Sequence, residues 1–249
     1  MKKLTAILGL IFLFAGIVFP QTPSGEDILK QIDKNLVIDK AISQTTMIIH
    51  GRAGTRSVKS KTWIEGRDKA FVEYTDPPRE KGKKMLKLGD QIWNYIPEPT
   101  DRIITISGHL LRQSVMGSDL SYEDMTENKK LIDLYNAKLT GSEKVQGRDC
   151  YVVELTAKQE DITYYSRKLW VDKEKWLPLK EERYARSGKP LKMSEITEAS
   201  RVDNRWYPKK MIFRDLMQTG GEGTEYLIDN INFHVNIPES QFTKAALKK

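Results

Sequence analysis

From Thr45 to Ser107 the side-chain pattern repeats every two residues, and turn residues interrupt it at short, regular intervals. "TTMIIHGRA", "SVKSKTWIE", "KAFVEYT", "KKMLKL", "QIWNYIP" and "RIITIS" are short runs rich in β-branched and aromatic residues. They are separated by "AGT", "GRD", "DPPREKG", "GD" and "EPTD". Parallel strands need crossovers of about a dozen residues or more, and gaps this short leave no room for them. An antiparallel meander is the arrangement the spacing predicts. The pattern resumes further on as "NAKLTGSEKV", "DCYVVELTA", "YYSRKLWVD", "PLKEERYAR", "LKMSEITEAS", "RWYPKKMIFRDL" and "GTEYLIDNINFHV". No internal repeat suggests a solenoid or propeller, and no low-complexity linker divides the chain, so one β-rich domain is expected.

Several runs are apolar on both faces. In "QIWNYIP", Trp93 and Tyr95 alternate with Ile92 and Ile96, and in "RIITIS" Ile104 and Ile106 stand opposite Ile103. A sheet with one solvated face alternates cleanly. Two arrangements satisfy the doubly apolar pattern: a strongly curved sheet wrapped around helices or a greasy ligand, and ordinary two-layer packing.

Two segments break the period of two. "SGEDILKQIDKNLVIDKAI" places Ile28, Leu29, Ile32, Leu36 and Val37 on one helical stripe. Ser24 stands ahead as a cap, with Glu26 and Asp27 at the positive end of the helix dipole. The second break is "QSVMGSDLSYEDM", residues 113–125, which packs acids, serines and a tyrosine between apolar residues. Asp119, Glu123 and Asp124 could in principle ligate a cation or form part of a two-carboxylate site. An EF-hand-like loop, however, needs oxygen donors at alternate positions, a central glycine and a distal glutamate, and these are missing. Ser121 followed by Asp124 matches a capping box with Asp in place of Glu or Gln. Leu110, Leu111, Val115 and Met116 form an apolar face before it. Two short helices joined by a capped turn are therefore expected across about 108–130.

The amino end, "MKKLTAILGLIFLFAGIVFP", has two lysines followed by an apolar run from Leu4 to Phe19. That run is shorter than the about 20 residues of a membrane-spanning helix, and it reads as a secretory signal. Cleavage is expected near Ser24, dividing the chain into a signal at 1–24 and a single domain at 25–249; an uncleaved anchor is the alternative. No cysteine near residue 20 offers a lipid attachment point. The single cysteine, Cys150, permits no intrachain disulfide, and its setting in "GRDCYVVELTAK" reads as a packed core thiol.

The net charge of +7 arises from scattered residues, with "REKGKK" (79–84) the densest run. No nucleic-acid motif accompanies it, so a nucleic-acid partner is not expected. His50, His109 and His234 are isolated, with no H-E-x-x-H spacing. No G-x-S-x-G elbow or Walker loop occurs, "TGGEGTE" lacks the lysine of a phosphate cradle, and Glu181 and Glu182 alternate faces on a strand. The sequence offers no catalytic constellation, metal site or cofactor motif.

Six stretches in order, "GDQIWNYIP", "MGSDLSYEDM", "GRDCYVVEL", "LWVDKEKWLPLKEERY", "RWYPKKMIF" and "IPESQFT", resemble the bacterial outer-membrane lipoprotein-sorting family, relatives of the periplasmic lipoprotein carrier LolA. The resemblance extends from about 26 to 243; the SDLSYED stretch and the hairpin with Trp170, Asp172, Leu177, Pro178, Leu179 and Lys180 weigh most. It implies a curved, incompletely closed antiparallel β-barrel of about eleven strands, with helices over a hydrophobic hollow and the 108–130 insert as lid. It also implies a periplasmic carrier for lipid, lipoprotein acyl chains or another hydrophobe. Its partners would be an inner-membrane transporter of the RND or ABC type and an outer-membrane acceptor. Trp93, Tyr95, Ile104, Ile106, Leu110, Leu111, Met116, Tyr122 and Met125 are the residues expected to line the hollow or its lid. Because this fold hosts several functions, a non-catalytic sensor or scaffold with a plugged hollow is the alternative, and an enzyme would require ionisable groups converging inside it.

Overall fold

A computed structural model describes residues 22–51, 54–126, 130–218 and 221–249. Most of the expected export signal, 1–21, therefore lies outside the described residues, as do residues 127–129 of the insert. The chain begins with helix α1 (Gly25–Leu36), whose N-terminus is closed by a reciprocal capping box between Ser24 and Asp27. Ile28, Leu29 and Ile32 form its buried stripe. Val37 is not part of the helix: it is the extended C-cap through which the chain enters the first strand.

Thirteen strands follow, and every β-rich run named above is one of them. They are β1 (Lys40–Gly51), β2 (Gly54–Glu65), β3 (Lys69–Asp76), β4 (Lys84–Leu88), β5 (Gln91–Ile96), β6 (Arg102–Ile106), β7 (Tyr135–Val145), β8 (Arg148–Ala157), β9 (Ser166–Asp172), β10 (Pro178–Tyr184), β11 (Pro190–Val202), β12 (Arg205–Asp215) and β13 (Gly223–Asn232). The count exceeds the about eleven implied by the resemblance; each short run bounded by its own turn is a separate strand. All pair antiparallel in one sheet ordered β6-β5-β4-β3-β2-β1-β13-β12-β11-β10-β9-β8-β7. Among the described residues the sheet closes no ring: β6 and β7, consecutive in the chain, are its two free edges.

Direct cross-strand partners share a face, so the register identifies which residues point the same way. One row of partners runs Val153, Leu169, Glu181, Ser194, Phe213, Thr224, Ile49 and Arg56 from β8 to β2. Leu169 and Val153 pack under α1, and Ile49 packs with the residues of the insert. The helix and the insert therefore cover the same, inner face. A second row, Ile42, Trp63, Phe71, Leu86 and Trp93, lies on the outer face. It is covered by the carboxyl-terminal segment through Ile237, Phe242, Ala246 and Leu247 of the 3₁₀ turn Glu239–Phe242 and helix α4 (Lys244–Leu247) and their approach.

The insert is the connection that must travel from the β6 edge to the β7 edge. Its first part is two 3₁₀ turns, Gly108–Arg112 and Val115–Gly117, rather than an α-helix. Gly108, Met116 and Gly117 have positive φ, which breaks any longer helical run. Two short helices follow, α2 (Tyr122–Thr126) and α3 (Leu131–Leu134). The expected cap is present: Asp124 N donates to Ser121 Oγ at 3.3 Å, and Ser121 N donates to Asp124 Oδ2 at 2.8 Å. Cys150 is fully buried among Val152, Trp170 and Leu177, and burial pushes its thiol up to about 11.

Candidate functional site

On the inner face of β13 and β1–β4 the register stacks four rows of side chains. Met47, Val58 and Tyr226 form the first, Thr45, Ser60 and Tyr74 the second, Thr62, Val72 and Met85 the third, and Ile64, Ala70 and Lys87 the fourth. Between these rows and the insert lies a cavity of about 250 Å³, bordered by Val115 and Met125 of the insert. It exceeds the about 150 Å³ apolar cavity that suffices for benzene. From the Val58 row to the Ile64 row is six residues of strand, about 20 Å at a rise of 3.3 Å per residue. The cavity is thus an elongated slot along the strands.

Its two ends differ chemically. At the Val58 end, Arg56 donates through Nη2 to the Met116 carbonyl and holds the second 3₁₀ turn above the sheet. Met116 there has φ +53, a conformation uncommon for a non-glycine residue and held only where surroundings impose it. Asn94 Nδ2 donates to Tyr122 Oη at 2.6 Å, joining α2 to β5. At the other end the lining includes Arg67, Lys69 and Lys87. Arg67 pairs with Asp33 of α1, while Lys69 Nζ lies 2.9 Å from both Glu65 and Glu239. Lys87 is buried and donates to the Arg67 carbonyl at 2.6 Å. Burial holds its ammonium below the ordinary lysine value, with Asp68 acting in the opposite direction.

Beyond the slot, the inner face carries a buried ionic network. Arg183 donates to Asp124 and to Glu181, each at 3.0 Å, and Arg167 donates to Glu181 at 3.0 Å. Tyr164 Oη donates to Asp124 at 2.6 Å. Burial would raise both carboxyls, but the guanidinium of Arg183, joined at Glu181 by Arg167, outweighs it and holds both below their usual range. Next to it, Asp119 accepts from the Asp215 backbone at 2.9 Å and from Thr224 Oγ1 at 2.6 Å, and Lys192 donates to the Asp119 carbonyl at 2.6 Å. Glu123 accepts from Thr163. The acids of the insert thus fasten it to β10–β13 and to the segment before β9. The cavity beside Asp124 and Arg183 is about 10 Å³, too small for a substrate. Among the described residues no group of three or more His, Cys, Asp or Glu is placed to hold a metal ion.

The expected cavity and lid residues divide between the two faces. Ile104, Ile106, Leu110, Leu111, Met116, Tyr122 and Met125 gather in one inner-face cluster with Ile92 and Met85. Met125 of these borders the slot. Trp93 and Tyr95 do not join them: both lie in the outer-face cluster with Phe71 and the carboxyl-terminal segment. Alternation separates Trp93 from Ile92 correctly, but the pattern alone does not say which set points inward, because both faces are covered. Met47, Val58, Val72, Tyr74, Met85 and Tyr226, which supply the slot's walls, are not among the residues expected from the sequence. Their signal is the alternation within β1–β4, including a lysine, Lys87, where an apolar residue would continue the Met85 face.

Comparison with known proteins gives the same fold. A DUF1329 family protein from Desulfovibrio piger superposes with a TM-score of 0.79 at 26% identity, covering 90% of this chain and 97% of that one. An outer membrane lipoprotein-sorting protein domain from Vibrio parahaemolyticus gives 0.78 at 23% identity, covering 91% and 98%. A LolA superfamily protein from Nitrosomonas europaea gives 0.73 at 22%, covering 90% and 100%. Among curated proteins, the sigma-E factor regulatory protein RseB of Escherichia coli is 25% identical over 176 residues, 70% of this chain and 51% of that protein. The chain therefore spans about half the length of the curated relatives it matches. A family model described as "Uncharacterized protein"-like matches residues 66–249. The chain belongs to the family this model describes, and its fold is the open, curved antiparallel sheet of the LolA-like outer-membrane lipoprotein-sorting proteins.

Proposed function

We propose that this protein is a periplasmic binding protein for a hydrophobe with a hydrocarbon chain, a lipid or a lipoprotein acyl chain. In this reading it receives cargo from an inner-membrane transporter and moves it toward the outer membrane. The observation that carries the reading is the apolar slot of about 250 Å³ between β1–β4 and the insert. Burying hydrocarbon contributes about 0.8 kcal/mol per CH₂. A palmitoyl chain therefore brings on the order of 10 kcal/mol before ordering costs, enough to draw it from a weaker site. At about 250 Å³ the slot is smaller than the usual ligand pocket, about 300–1,000 Å³, so a long chain would require the insert to shift.

A binding role is favoured over catalysis because the carboxylates gathered around Arg183 are each matched by a cation. Asp124 and Glu181 are spent on Arg183 and Arg167, their carboxyls stay ionised, and the adjoining cavity admits no substrate.

The test is uptake of a fluorescent fatty acid by the purified protein, with native mass spectrometry of what co-purifies. Saturable binding that Met125→Glu weakens by about tenfold or more, one carboxylate in hydrocarbon being that costly, supports the carrier. Absence of uptake by the folded protein overturns it. A second reading, a sensor or scaffold module with no cargo, has its own observation: over β7–β9 the inner face is filled by α1 rather than open. The regulatory role named for RseB is compatible with that reading, and failed uptake would favour it.

A further inference from the structure

The slot has one apolar end and one end marked by a buried ammonium, and that polarity specifies more than a greasy cavity does. Lys87 occupies a position on β4 whose neighbour on the same face, Met85, is fully apolar and buried. Its ammonium has three donors, and the Arg67 carbonyl at 2.6 Å takes one. Arg67 and Lys69, which border the same end, are already matched by the carboxylates of Asp33, Glu65 and Glu239. Lys87 stands in the wall of the slot itself, in the row of Ile64 and Ala70, with the nearby Asp68 carboxylate favouring its charge.

We propose that the slot selects amphiphiles with one hydrocarbon chain and an anionic head, carboxylate or phosphate, the chain running along β1–β4 toward Met125 and the head resting on Lys87. The inference rests on the hydrophobe-binding reading above and assigns its ligand a charge and an orientation. An anion at Lys87 forms a charge-assisted hydrogen bond where little water competes, the setting in which such bonds are strongest. It also offsets the burial that holds this ammonium below the ordinary lysine value. A neutral head in the same place gains neither effect, and a cationic head is repelled.

The experiment is competition against a bound fluorescent fatty acid, using four ligands with the same saturated chain: palmitate, palmitoyl-lysophosphatidylglycerol, palmitoyl-lysophosphatidylcholine and hexadecanol. Palmitate and the lysophosphatidylglycerol are expected to bind about tenfold tighter than hexadecanol, one charge-assisted contact's worth. In Lys87→Met the two anions should lose that advantage while hexadecanol binds at least as well, and Lys87→Arg should retain it. Comparing palmitate with the lysophosphatidylglycerol tells a carboxylate site from a phosphate site. Thermal melting of each variant checks that it folds. A Lys87 that serves only to hold the turn through the Arg67 carbonyl would lower the melting temperature in Lys87→Met and leave the order of affinities unchanged. Equal affinity for charged and neutral ligands in the parent protein overturns the proposal and leaves the hydrophobe reading standing; failure of all four to bind overturns both.

Discussion

At the scale of single residues, the acids of the insert act through specific partners. Asp119 takes hydrogen bonds from the Asp215 backbone and Thr224, and a bond to an ionised group contributes about 1.5–3 kcal/mol. Asp119→Ala is expected to lower unfolding stability by about 2–4 kcal/mol in urea titrations, since two donors, the Asp215 amide and the buried Thr224 hydroxyl, lose their acceptor. The carboxyls of Asp124 and Glu181 are held below their unfolded values of about 3.9 and 4.3. Such groups contribute stability in full above about pH 5, and the contribution is lost as pH falls through the unfolded and then the lower, folded values. Arg183→Met removes the cation that outweighs burial at both carboxyls. Its acid-unfolding midpoint, followed by circular dichroism, should rise by on the order of one pH unit. The variant should also lose about 3–5 kcal/mol at neutral pH because Glu181 and Asp124 remain buried with fewer partners.

At the scale of elements, two close approaches fix the parts that cover the inner face. The first turn of α1 lies so close to β7 that a Cβ at Gly25 would stand 2.7 Å from the Ala137 carbonyl and 2.9 Å from Lys138 N. Both contacts are backbone, which gives way only by moving the helix. Gly25→Ala is therefore expected to cost about 1–3 kcal/mol, as overpacking does, although alanine is the better helix former. Differential scanning calorimetry would show it. The second 3₁₀ turn depends on Arg56, which reaches the Met116 carbonyl and occupies the space a Cβ at Gly117 would meet at 2.8 Å. Arg56→Ala should raise amide exchange across 113–118 by about fivefold or more while β1–β4 stay protected, the loss of roughly one hydrogen bond's net contribution.

At the scale of the whole molecule, the strand order explains why the insert lies where it does. The first six strands step outward from β1 to one edge, and β13 back to β7 step outward to the other. The chain leaving β6 must cross the open sheet to start β7, and the inner face offers it apolar surface to cross on. That path makes the roof of the slot and the bridge between the two edges the same segment. A ligand that fills the slot binds the folded chain and not the unfolded one. Palmitate at a hundred times its dissociation constant should therefore stabilise the fold by about 2.7 kcal/mol. For a chain of this size that corresponds to a rise in melting temperature of about 5–10 °C, and Lys87→Met should reduce it.

The sequence by itself determined the strands and two of the helix starts. Period-two runs closed by Gly, Pro and Asp turns leave little freedom about where strands begin and end, and Ser24 with Asp27 and Ser121 with Asp124 mark two helix starts through side chains a few residues apart. These are local properties, written in neighbouring residues. The tertiary structure alone decided which face of each strand turns inward. Ile92 and Trp93 are equally apolar, and what separates them is a partner distant in the chain: the insert for Ile92, the carboxyl-terminal segment for Trp93. The slot is likewise non-local. Met47, Val58, Val72, Met85 and Lys87 meet because hydrogen-bond register aligns four strands, and register is set by pairing across the sheet rather than by any one stretch of sequence.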